Sequence, residues 1–133
     1  MIIELDPTSD VPIYQQLRDR VVEAIATGAL PEGSPLPSTR ALATDFGINF
    51  HTVNKAYDLL RQQRLVRINR KSGAVVARDG DSGPPAPEFV PEWTTRATTL
   101  LAEATAHGLS NADVIDICRT VLDKFGGQRS EES

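Results

Sequence analysis

Residues 49–55 read Asn, Phe, His, Thr, Val, Asn, Lys. Within that stretch His51, Thr52, Asn54 and Lys55 offer an imidazole, a hydroxyl, a carboxamide and an ammonium, with no carboxylate among them. An ordinary surface helix carries Glu and Lys pairs instead. A carboxamide can hold an adenine edge with two hydrogen bonds, an imidazole can donate to a base acceptor, and an ammonium suits phosphate or guanine. The chemistry implied is recognition of a base edge or a phosphate. For bond-making the chain offers little: no phosphate-cradling glycine loop, no metal-binding histidine pair, and no Ser, His and Asp set on a supporting scaffold. Two histidines and one cysteine lie scattered. No catalytic residue, metal site or cofactor is expected, and the chain is not read as an enzyme.

Charge placement supports the same reading. The whole chain of 133 residues carries −4. Yet residues 38–78 hold eight basic side chains (Arg40, Lys55, Arg61, Arg64, Arg67, Arg70, Lys71, Arg78) against Asp45 and Asp58, a net +6. Residues 81–133 hold nine acids against four bases, a net −5. A basic middle and an acidic C-terminal part imply two surfaces with different tasks. The N-terminus has no basic n-region, no apolar run reaches membrane-spanning length, and one cysteine excludes an internal disulfide framework. These features predict a cytoplasmic protein with no membrane partner.

The elements that must position these residues follow from periodicity and punctuation. Residues 2–5, "IIEL", read as a short edge strand. A helix follows, with Asp10 as its cap, Pro12 in its first turn, Gly28 as its stop, and Ile13, Leu17, Val21 and Ile25 as its buried stripe. Ser38 caps a helix of barely two turns that ends at Gly47. Asn49 caps another, roughly 50–63, whose apolar face is Val53, Ala56, Tyr57 and Leu60. A short helix, a glycine turn and a longer helix make a helix-turn-helix. "LVRIN" and "AVVA" around "RKSG" add a hairpin, or wing. The fold class is α+β: a winged helix-turn-helix over residues 1–79, a Pro/Gly linker at 80–87, and a two-helix antiparallel hairpin at 88–126. The second hairpin helix starts at Ser110 with Asp113, stops at Gly126, and leaves 127–133 as a disordered tail.

The segment "LPSTRALATDFGINFHTVNKAYDLLRQQRLVRINRKSGAVVA" resembles the DNA-binding domain of GntR-family bacterial transcription regulators. It carries Pro37, Ser38 and Arg40 at the opening of the second helix, Thr52 and Val53 in the third, and Gly73 in the wing. "PIYQQL", "NKAYDLL" and the short two-helix C-terminal part are similar to the YtrA-like subfamily, which implies a dimer formed through those helices. Thr39 stands where the family often has Glu, Phe50 where it often has a polar residue, and Gly73 where it often has a glycine doublet.

Read residue by residue, Arg40 is expected to reach a phosphate or a guanine edge. His51, Asn54 and Lys55 are expected to read bases or phosphate, and Thr52 to serve the helix N-terminus or a phosphate. Ser38 and Asn49 join the DNA-facing set, with capping the favoured task of Asn49. Phe50 either touches a thymine methyl or staples the turn. Arg70, Lys71 and Gly73 form the wing's phosphate or minor-groove contact. In the hairpin, Trp93, Ala97, Leu100, Leu101, Ile115, Cys118 and Leu122 form an apolar surface larger than two helices can bury against each other, so a second copy is expected to cover it. The reading is a homodimeric regulator, a repressor on an inverted-repeat double-stranded DNA operator, with a small-molecule effector or a protein-binding winged helix as alternatives.

Overall fold

A computed structural model describes residues 3–69 and 73–132, with side chains up to residue 126. They form two compact units, Met1–Ser82 and Gly83–Ser133. The division falls inside the segment expected to be a linker.

In the first unit the order is α1 (Ile13–Thr27), α2 (Thr39–Phe46), α3 (Phe50–Gln62), β1 (Val66–Asn69) and β2 (Gly73–Val76). α3 lies at the centre and packs against α1, α2 and β1. Its four-residue stripe of Val53, Ala56, Tyr57 and Leu60 meets Leu17, Val21 and Ile25 of α1 and Leu42 and Ala43 of α2 in one core. The turn between α2 and α3 is built from short-range chemistry. Ser38 Oγ accepts the Ala41 N–H at 3.0 Å, and Asn49 Oδ1 accepts the His51 N–H at 2.8 Å. Gly47 ends α2 with φ 64°, a left-handed conformation that side-chain-bearing residues rarely adopt.

β1 and β2 pair antiparallel, Val66 opposite Val76 and Asn69 opposite Gly73. The other edge of β2 is taken by the proline-rich loop, which bridges through Pro35 and Val75. The Gly33 N–H donates to Val76 O at 2.8 Å, Val76 N–H to Ser34 O at 2.9 Å, and Leu36 N–H to Ala74 O at 2.9 Å.

Three sequence expectations are corrected. Residues 3–5 form no strand: Ile3 is buried and Leu5 packs beside it, so this apolar run meets its need for burial without pairing. Asp10 does not cap α1. The cap position is Pro12, without a side-chain hydrogen bond, and Asp10 lies two residues too early to reach the first turn. The N-terminal segment is held instead by Gln16, the one buried polar residue of the described set. Its Oε1 accepts the Asp6 N–H at 2.7 Å, and its Nε2 donates to Asp6 O at 2.9 Å and Val11 O at 2.8 Å. Asp6 turns its carboxylate to the Thr8 hydroxyl and then the Thr8 N–H, which hold its pKa below the ordinary value.

In the second unit α4 (Phe89–Ala106) and α5 (Asn111–Glu132) pack along half-buried Ala97, Ala104, Val114 and Phe125. Ser110 Oγ accepts the Asp113 N–H at 3.1 Å, as the capping pattern requires. The third correction is at the other end of α5. The helix continues through Gly126 and over 127–132, where a stop and an unstructured tail were expected. Gly126 lacks a left-handed φ, and a glycine inside a helix costs only about 1 kcal/mol relative to alanine, too little to end it.

Gln16→Leu keeps the volume and removes all three hydrogen bonds. It should lower unfolding free energy by ~1–3 kcal/mol in urea titration and speed amide exchange over residues 3–11.

Candidate nucleic-acid interface

The burial of Val53, Ala56, Tyr57 and Leu60 dictates which side chains α3 presents outward. His51, Asn54, Lys55, Asp58 and Arg61 are exposed, and Thr52 is half-buried. The first turns of that outward face therefore carry imidazole, carboxamide and ammonium together. One turn further, the Asp58 carboxylate is held by Arg61 at 3.1 Å. This pair offsets the only acid on α3 and engages Arg61 within the helix itself.

Two cations rest on aromatic faces. Arg40, exposed at the start of α2, has its guanidinium carbon 5.6 Å from the centre of the Phe50 ring. The same ring lies 4.5 Å from that of His51 at an interplanar angle of 39°. Phe50 is half-buried against the core. It thus staples the turn and gathers Arg40 and His51 at the N-terminal end of α3. Lys55 Nζ sits 4.0 Å from the centre of the Tyr14 ring on α1. Cation–π attraction of this kind is worth ~0.5–1 kcal/mol at exposed sites.

α2 and α3 are locked by a further bond. The Tyr57 hydroxyl donates to Pro37 O at 2.7 Å, fixing the residue before the α2 cap to the centre of α3. Burial pushes the Tyr57 phenol up to about 12. At the far end of α3, Arg18 Nε donates to Gln63 Oε1 at 2.9 Å.

The expected site residues divide accordingly. Arg40, His51, Asn54 and Lys55 share an exposed region around the start of α3. Ser38 and Asn49 act as caps, and Thr52 lies half-buried just inside. Arg67 is exposed on β1. Gly73 opens β2 with φ 74°, and a Cβ there would meet nothing within 4 Å, so backbone conformation and not crowding calls for glycine. Arg70 and Lys71 lie outside the described residues. Sequence reasoning did not find Tyr14, because it sits beside the α1 stripe like any helix residue and its partner is 41 positions away. Among the described residues no group of three or more His, Cys, Asp or Glu side chains could hold a metal ion.

The profile of bacterial regulatory proteins of the gntR family matches residues 13–76. The solved structure of YtrA from Sulfolobus acidocaldarius, described as a GntR-family transcription factor, is 34% identical. That match covers 74% of this chain and 99% of the other, with a TM-score of 0.59. The chain belongs to the GntR family. Its fold is the family's winged helix-turn-helix, followed by C-terminal helices.

Further similar proteins match part of the chain. The transcriptional repressor YtrA of Bacillus subtilis is 35% identical over 78 residues, 59% of this chain and 60% of the relative. The chain thus spans about three fifths of that curated relative's length. The AraR DNA-binding domain, solved in complex with operator ORX1, is 27% identical with a TM-score of 0.51, covering 58% of this chain and 99% of that domain. Within this GntR-family chain, the region matched by the family profile includes the whole α2–α3 pair and both wing strands.

Tyr57 makes the domain alkali-sensitive in a defined window. A phenol raised to about 12 in the folded state stabilises the fold fully below pH ~10, and that contribution is lost as pH climbs from ~10 to ~12. Urea midpoints measured from pH 8 to 12 should fall across that window in the parent. In Tyr57→Phe the fall should be smaller, from a starting stability ~1 kcal/mol lower because the Pro37 bond is gone.

Proposed function

We propose that this protein is a homodimeric, sequence-specific DNA-binding transcription regulator of the cytoplasm, acting as a repressor on an inverted-repeat operator. The observation that carries the reading is the composition of the outward face of α3. His51, Asn54 and Lys55 project from its first turns with Arg40 beside them, and its single carboxylate is neutralised by Arg61. In a helix-turn-helix those turns meet base edges in the major groove. The operator-bound AraR domain supports DNA as the partner, and the repressor YtrA of Bacillus subtilis supports the sign of regulation. Arg40 and Asn54 take base edges, with Ser38, Asn49, Thr52, Arg70, Lys71 and Gly73 at the sugar-phosphate backbone. Half-sites lie about 10 bp apart or a little more.

A second copy is the proposed partner of the hairpin. α4 and α5 leave Trp93 52%, Leu100 67%, Ile115 55% and Leu122 64% exposed, with Leu101 and Cys118 among them. A monomer rarely carries so extended an apolar surface. An open groove of about 440 Å³, lined by Leu101, Val114, Ile115, Cys118 and Leu122 with Arg119 and Asp123, runs along the hairpin. A two-fold partner would fill it with its own apolar face. In the alternative reading, an effector at the dimer interface occupies this groove instead.

Fluorescence anisotropy with the protein's own promoter, beside a scrambled duplex, tests DNA recognition. Promoter binding should be tighter, and log K should fall with log salt by about 0.9 per neutralised phosphate. Arg40→Ala and Asn54→Ala should each cost ~1–3 kcal/mol on the promoter and less on the scrambled duplex. Equal binding to both duplexes would remove sequence specificity from the proposal.

Sedimentation equilibrium tests the dimer. The parent should sediment as two chains and the double variant Leu101→Glu/Leu122→Glu as one, with promoter affinity reduced by roughly two orders of magnitude as the two half-sites lose their linkage. A monomeric parent at tens of micromolar would overturn the dimer.

A further inference from the structure

We infer that Tyr14, on α1 and outside the helix-turn-helix, is a positioning residue that commits Lys55 to a DNA phosphate rather than to a base. The inference rests on the DNA-binding reading above and deepens it. Lys55 Nζ stands 4.0 Å from the Tyr14 ring centre, within the range where the negative face of a ring attracts an ammonium. Tyr14 is half-buried and packs against the core, so its ring is held by the fold. Lys55 is exposed, and a free lysine of that kind samples many rotamers. The seat draws the ammonium toward α1, whereas the Phe50 ring gathers His51 and Arg40 at the N-terminal end of α3.

Chemistry then selects the target. Reading guanine with discrimination requires donors aimed at two acceptors in one base plane, which a planar guanidinium provides. An ammonium with one side against a ring keeps N–H groups on its other side and behaves as a compact point charge. That suits an anionic oxygen, which makes few demands on angle. Ordering the long side chain before DNA arrives also lowers the entropy lost on binding. Two kinds of cation on the same surface are thereby given different tasks: Arg40 with the bases, Lys55 with the backbone.

The test compares Tyr14→Leu, Tyr14→Phe and Lys55→Met in the full chain. In the free protein, NMR of the Lys55 Hε and Cε resonances should show an upfield ring-current shift that vanishes in Tyr14→Leu and returns in Tyr14→Phe. By anisotropy, Tyr14→Leu should weaken binding ~2–5-fold per half-site, equally on promoter and scrambled duplex, with the salt slope unchanged because the charge remains. Tyr14→Phe should restore parental affinity. Lys55→Met should weaken both duplexes and lower the salt slope by about one per half-site, and adding Tyr14→Leu to it should have no further effect.

An absent ring-current shift in the parent would overturn the seat. A shift with undiminished binding by Tyr14→Leu would overturn its role. Loss confined to the promoter would overturn the phosphate assignment, because it would place Lys55 on a base. Failure of the parent to bind either duplex at low salt would overturn the DNA reading and this role with it. The ring-current measurement would still report the seat on its own, so the two failures are distinguishable.

Discussion

Everything in the N-terminal unit depends on the burial of one side of α3. Val53, Ala56, Tyr57 and Leu60 are enclosed by α1, α2 and β1, so the packing of all three elements converges on α3. A helix with four fully committed inward residues has no rotational freedom about its axis. The outward residues are consequences of that choice: 100° of turn per residue places His51, Asn54 and Lys55 on the far side. Core packing, not the polar residues themselves, decides which side chains α3 presents to solvent. The caps then set where α3 begins, and Tyr57 ties its middle to the loop ahead of α2.

Most of this arrangement was legible in the residues because it is local. Ser38, Gly47, Asn49 and Ser110 act within three or four positions of themselves, and the stripes of α1 and α3 follow a 3.6-residue period. The failures have the opposite character. The third edge of the wing pairs residues 33–36 with 74–76, and nothing in a proline-rich loop advertises a strand partner some forty residues away. The Gln16 clasp uses a residue that reads as an ordinary polar helix position, and its value appears only when the N-terminal segment folds over it. Gly126 shows the reverse error, in which a strong local signal is overridden by the length of the surrounding helix. The polar types that α3 presents outward, His51, Asn54 and Lys55, could be read from the residues, whereas the aromatic seats of Arg40 and Lys55 depend on the approach of separate elements.

The two units solve the hydrophobic problem differently. The first closes its own core, with Leu17, Val21, Val53, Leu60, Val66 and Val76 essentially inaccessible. The second aligns two helices along a seam of Ala97, Ala104, Val114 and Phe125 and leaves most of its other large apolar side chains outside. A pair of helices with no enclosed side chain among the described residues gains little from its tertiary contacts, so its order must come from elsewhere. Helix propensity along α4, with its run of Ala, Leu and Glu, supplies part of it.

The loop between α1 and α2 has a mechanical consequence. Gly33, Ser34 and Leu36 are laced to β2, and Pro37 is pinned by Tyr57 one residue later. Ser38 then starts α2, and Arg40 follows within its first turn. No hinge is left between the wing and the side chain that guards the other end of the surface. The ladder and the Tyr57 bond thus connect β2 to the first turn of α2 through consecutive hydrogen-bonded residues. Strand and helix start, separated by some thirty residues of sequence, therefore share one hydrogen-bonded frame.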